Sequence, residues 1–167
     1  YGICRVAYSL RDRKIREASI AIAGAAFLYL IVNANFTGYK PDAAKWRYGR
    51  GVAYDRAQKK AEAAAEYAAA LSIRPELSDA HGAVGVLLAK AGRLDEAIRY
   101  MEESVRLDPG SARFHSNLGA AFAAKGELDN AISEYETALK IDPLLPETRI
   151  NLGTAMARAG NGEAARA

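Results

Sequence analysis

The chain has 167 residues, half of them hydrophobic and 8% aromatic, with 23 basic and 20 acidic side chains for a net charge of +3. That length allows one domain with an appendage, and a charge so mild disfavours the concentrated basic face that nucleic-acid binding needs. The single cysteine, Cys4, leaves no internal disulfide to form.

Residues 1–17 hold the whole charge excess: Arg5, Arg11, Arg13, Lys14 and Arg16 outweigh Asp12 and Glu17, leaving 18 basic and 18 acidic residues after them. From Ala18 to Tyr39 nothing is charged, and Ile20, Ile22, Phe27, Leu28, Leu30, Ile31 and Val32 make the run strongly apolar. Roughly 22 helical residues at about 1.5 Å each span about 33 Å, close to a bilayer's hydrocarbon thickness, so a transmembrane helix is expected over 18–36. Tyr29, Phe36 and Tyr39 lie toward one end, as interfacial aromatics do. A cleaved signal peptide has similar flanks, with Val32-Asn33-Ala34 as its small-residue site, and a buried capping helix is the other alternative. Gly38 and Pro41 mark 37–43 as a linker. Five basic residues before the span and four soon after it (Lys40, Lys45, Arg47, Arg50) tilt the N-terminus toward the cytoplasm. The rest of the chain would then be extracytoplasmic, periplasmic in a bacterium.

From Ala44 onward the chain repeats itself every 34 residues: Gly85, Gly119 and Gly153 align, as do Gly92, Gly126 and Gly160, and Pro75, Pro109 and Pro143. Such a period predicts an α-solenoid of helix pairs, each burying its apolar face against its neighbours. The units fall at 44–77, 78–111, 112–145 and, as a partial unit, 146–167. Within 78–111, Val84 and Leu88 carry helical apolar spacing. Gly92-Arg93-Leu94-Asp95 supplies a glycine stop and an acidic start for a second helix. Asp108-Pro109 closes the unit, because proline lacks a donor and pushes its predecessor out of helical geometry. Unit 44–77 departs from this at its turn, where Gln58-Lys59-Lys60 stands. In the last unit Gly160-Asn161-Gly162 reads as the turn, with the sequence ending inside a second helix.

The segments Asn117-Leu118-Gly119, Gly126-Glu127-Leu128-Asp129-Asn130-Ala131, Tyr135, Ala138 and Asp142-Pro143 resemble the signature of tetratricopeptide repeats. The resemblance covers 44–167 and implies a concave face, lined by the first helix of each repeat, that holds an extended peptide or a partner helix. Its positions fall on Lys45, Tyr48, Val52 and Arg56, then Asp79, Ala83, Val86 and Lys90. Arg113, Asn117, Ala120 and Ala124 follow, then Glu147, Asn151, Thr154 and Arg158. The binding groove is therefore expected at Tyr48, Val52, Ala83, Val86, Arg113, Asn117, Ala120, Ala124, Asn151 and Thr154. Chaperone-binding members clamp a terminal carboxylate with lysine and asparagine; Tyr48, Val52 and Ala83 do not supply that clamp. Asn117 and Asn151 recur one repeat apart, as in the asparagine ladders of protein-glycosylating members, although Gly49 and Ala83 break the series.

No catalytic set, cofactor site or metal site is expected. His81 and His115 occupy equivalent places in successive repeats, too far apart to share one metal comfortably, and read as packing residues. The sequence thus predicts a non-catalytic scaffold or accessory subunit of a membrane-associated complex, with protein partners and no nucleic acid. The alternatives are the tail of a larger multi-spanning membrane enzyme of glycan ligase or glycosyltransferase type, and a soluble adaptor whose apolar helix caps the solenoid.

Overall fold

The computed structural model describes residues 42–164 together with Ala25 and Tyr29, both helical and exposed. The expected basic flank 1–17, the membrane helix 18–36 and most of the linker 37–43 lie outside the described residues. Among the described residues, no helix is long and apolar enough to cross a membrane.

Residues 42–164 are seven helices without a strand: α1 Ala43–Arg56, α2 Lys60–Ile73, α3 Ser78–Lys90, α4 Leu94–Leu107, α5 Ala112–Lys125, α6 Leu128–Ile141 and α7 Pro146–Ala164. They pack as the pairs α1/α2, α3/α4 and α5/α6, each pair stacked on the next, with α7 against α6. The odd-numbered helices also touch in succession, α3 against α5 and α5 against α7, so they share one side of the stack.

Local chemistry sets the boundaries. Asp42 caps α1, its Oδ1 accepting from the Lys45 amide at 3.1 Å, which satisfies one of the donors a helix start leaves open. Helix α5 stops where Gly126 takes a left-handed φ of 91°, and the Glu127 amide folds back onto the Phe122 carbonyl at 2.9 Å. Gly92 (φ 78°) ends α3 in the same way, with Arg93 donating to Leu88 at 3.0 Å. This closure needs a residue tolerant of positive φ. The first pair makes the same turn without one: Lys59 donates to Tyr54 at 2.9 Å, and Gln58 itself adopts φ 60°.

Inside each pair a glycine lets a bulky side chain cross. A β-carbon on Gly85 would lie 2.6 Å from Met101 Cγ, and one on Gly119 would lie 2.8 Å from the Tyr135 ring. Gly51 meets Tyr67 in the same way. Ala63, Ala97 and Ala131 on the facing helices are fully buried, so the backbones approach closely and the core is a chain of small clusters along the stack.

The last unit corrects the sequence reading. Helix α7 runs without a break through Gly160 to Ala164, and no turn forms at Gly160-Asn161-Gly162. Leu94 and Leu128 open the second helices of their pairs two residues after the turn glycine, but Gly162 stands at the equivalent place. Lys60 holds that place in the first pair and the turn still forms, so packing makes the difference: Tyr67, Met101 and Tyr135 cross Gly51, Gly85 and Gly119, whereas nothing lies within 4 Å of a β-carbon on Gly153, and the intrahelical bonds persist.

Candidate functional site

The face formed by α1, α3, α5 and α7 carries the residues that the sequence marks as a groove. At one rim, equivalent positions of the four helices hold Lys45, Asp79, Arg113 and Glu147, an alternation of sign. Arg113 is ion-paired with Asp79 across the 34-residue step and lies 4.7 Å above the Phe114 ring. Tyr48 faces this pair; burial, then the Asp79 carboxylate, push its phenol above the ordinary tyrosine range. Its ring also packs 5.7 Å from Tyr67, so Tyr48 is half core and half groove.

The middle of the face contains a hollow of about 210 Å³ between α3 and α5. Four of the expected residues meet there, Val86, Asn117, Ala120 and Ala124, with Lys90 at the mouth. Ala89, Leu94, Met101 and Ala121 complete the lining, and the sequence reading did not assign them to the groove. Leu94 and Met101 belong to the second helix of their pair, and the gap left by alanine at 120, 121 and 124 opens the way to them. Ala120 and Ala124 are exposed and Asn117 is half-buried.

The remaining expected residues lie apart from the hollow. Val52 and Ala83 are half-buried on α1 and α3, while Asn151 and Thr154 are exposed on α7. Thr154 spends its hydroxyl on the Ile150 carbonyl at 2.9 Å. Asn117 and Asn151 are therefore not equivalent: one borders an apolar hollow, the other open surface.

The histidines do more than fill space. His81 Nε2 lies 2.7 Å from the Pro75 carbonyl and His115 Nε2 3.1 Å from that of Pro109, and Arg149, one repeat on, donates to the Pro143 carbonyl at 2.6 Å. Each ties the closing turn of one unit to the helix that opens the next. The same positions face the second helix of their pair: Arg47 pairs with Glu66, His81 stacks 5.8 Å from Tyr100, and His115 Nδ1 meets Glu134 Oε2 at 2.7 Å. The constant six-residue step from proline to His81, His115 and Arg149 is the signal from which this role was readable.

A second, polar hollow of about 430 Å³ lies between α4, α5 and α6, lined by Glu102, Glu127, Asn130, Ser133 and Glu134 around Ile98, Phe122 and Lys125. Lys125 is bound there by Asp95 at 2.8 Å and Glu127 at 2.7 Å. Among the described residues, no three His, Cys, Asp or Glu side chains are grouped as metal ligands.

The profile of the tetratricopeptide repeat family matches residues 11–78 and 83–146. The chain belongs to the tetratricopeptide repeat family. The match begins at residue 11 and so takes in the uncharged run. No curated protein sequence matches the chain. Among solved structures it resembles a variant of the O-GlcNAc transferase of Thermobaculum terrenum, at TM-score 0.67 and 25% identity over 71% of this chain. The likeness takes in only 23% of that protein. The Sgt2 tetratricopeptide domain of Aspergillus fumigatus superposes at TM-score 0.68 and 21% identity, covering 77% of this chain and 84% of that one. The first such domain of Spaghetti (RPAP3), bound to an HSP90 peptide, gives 0.69 and 20%, covering 72% and 96%.

Proposed function

We propose that the chain is a non-catalytic scaffold or accessory subunit that holds a protein partner, an extended peptide or a helix, in the face formed by α1, α3, α5 and α7. The hollow between α3 and α5 carries this reading, because it combines an apolar floor with an amide and an ammonium group at its edge. The Spaghetti domain's HSP90 peptide supports a peptide-sized occupant in this architecture. Ala120→Trp is the test: Ala120 is exposed beside the hollow, so the variant should keep its helicity by circular dichroism while losing partner capture in a pull-down. Undiminished capture would move the site elsewhere.

The membrane part of the proposal rests on the uncharged run from Ala18 to Tyr39. A single span at 18–36 would tether the repeats to a membrane complex, on the extracytoplasmic side by the charge bias. The intact chain should then stay with membranes after high-salt and alkaline washing; full release would remove the anchor. Protease digestion of intact spheroplasts reads the sidedness, since repeats that survive while a periplasmic control is cut must be cytoplasmic.

The second reading, a tail that presents substrates to a glycan-handling membrane enzyme, draws on the O-GlcNAc transferase likeness. The mass of the natural protein separates the two.

A further inference from the structure

The two rims of the groove are electrically unlike. On one, Lys45, Asp79, Arg113 and Glu147 sum to zero, and the central cation, Arg113, is neutralised by Asp79. On the other, at the C-terminal ends of the same helices, equivalent positions hold Arg56, Lys90, Ala124 and Arg158. Here cations dominate and are loosely held. Lys90 is half exposed and, among the described residues, reaches only Asp55, at 3.9 Å; Arg158 leans on the Ala123 carbonyl at 3.4 Å. Both therefore remain open to an outside carboxylate.

Between the rims lies the hollow of about 210 Å³, room for one apolar side chain entering over Ala120 toward Leu94 and Met101. At its edge the Asn117 amide makes no hydrogen bond within the described residues. It can donate and accept at once, which suits a peptide group of an extended chain rather than a helix whose peptide groups already pair.

We infer that the occupant of this groove is an extended, acidic segment internal to a partner protein, placing one apolar side chain in the α3/α5 hollow and carboxylates against Lys90 and Arg158. This rests on the groove reading above and adds the partner's chemistry. An internal segment fits better than a chain terminus because Lys90 and Arg158 stand two repeats apart on one rim, where they can align successive acidic side chains along the groove, while Arg113, the mid-groove cation of the opposite rim, is already held by Asp79.

The test selects random heptapeptides, displayed between two folded domains so that no terminus is free, against the full-length chain. Enriched peptides should carry a leucine, methionine or isoleucine beside glutamate or aspartate. For such a peptide, changing the acids to amides should weaken binding about fivefold or more at low salt, and Lys90→Glu with Arg158→Glu about tenfold, with the loss shrinking as salt rises. Binding indifferent to the peptide's charge, or enrichment of basic peptides, overturns the acidic partner while leaving the groove in place. Peptides enriched only from a library with free carboxyl termini overturn the internal segment. Enrichment that survives Ala120→Trp, or none from either library, overturns the groove itself.

Discussion

At the scale of single residues, the glycines that carry the 34-residue period differ in what they accommodate. A β-carbon on Gly119 would lie 2.8 Å from the Tyr135 ring and 3.2 Å from the Ala131 carbonyl oxygen, whereas one on Gly153 would meet nothing within 4 Å. Gly119→Ala must push an aromatic ring and a backbone oxygen, so a loss of about 1–3 kcal/mol is expected. Gly153→Ala meets no neighbour and gains helix propensity, so stability should rise by up to about 1 kcal/mol. Urea unfolding of the two variants checks both signs; equal destabilisation would mean that Gly153 also faces a packed helix. Tyr67, over Gly51, gives a second residue-level test. Burial pushes its phenol up to about 12 from an ordinary 10.0, so the folded state keeps the proton where the unfolded chain has released it. Stability is then full below pH 10 and falls as pH rises toward 12, by about 2–3 kcal/mol from this group. Comparing the parent with Tyr67→Phe over that window should show a shallower decline in the variant; identical slopes would contradict the shift.

At the scale of elements, the turns separate what the sequence displays from what it hides. Gly92 and Gly126 announce left-handed closures and make them. Gln58 makes the same closure against its own preference, because the packing of α1 on α2 holds the turn in place. A side chain at φ 60° costs roughly 1 kcal/mol, so Gln58→Gly should raise stability by about 0.5–1 kcal/mol in a thermal or urea melt. A neutral or destabilising result would show that the glutamine side chain contributes a contact that offsets the strain. Gly160 is the opposite case: the residue is permissive, yet the helix passes through it. Spacing reveals where a turn is allowed, while a second helix packed back over the first, as Tyr67, Met101 and Tyr135 pack over Gly51, Gly85 and Gly119 with nothing over Gly153, decides whether it forms. Four residues lining the α3/α5 hollow were legible for a related reason. First-helix positions facing away from the second helix follow from the period, which found Val86, Asn117, Ala120 and Ala124. Depth does not follow from it, so Leu94 and Met101, reached only through the gap between α3 and α5, stayed out of view. The Arg113–Asp79 pairing was equally hidden, because two exposed charges one repeat apart read as independent until neighbouring helices bring them together.

At the scale of the whole molecule, a solenoid has no single centre, and its stability is approximately a sum of units and the interfaces between them. Helices α4 and α5 sit mid-stack, where Ile98, Met101, Leu118 and Ala121 form a closed cluster. Helix α7 is held differently. It buries Thr148 and Ala155 and joins α5 through the Ser116–Thr148 hydroxyl pair at 2.8 Å, while Leu144, Ile150 and Met156 are 85%, 68% and 48% exposed. Among the described residues it is packed on one side only, against α5 and α6, whereas α4 and α5 are packed on both sides, so opening it costs less. Hydrogen exchange should follow that order in the intact chain, with amides of residues 150–160 exchanging first and those of 97–105 and 116–122 last. Gly85→Ala, which crowds Met101 inside the central pair, should lower the protection of α4 and α5 toward that of α7 without changing α7 itself. Uniform protection from α4 through α7 would contradict this gradient and require a contact on the Ile150 and Met156 face strong enough to make the last helix as secure as the middle ones.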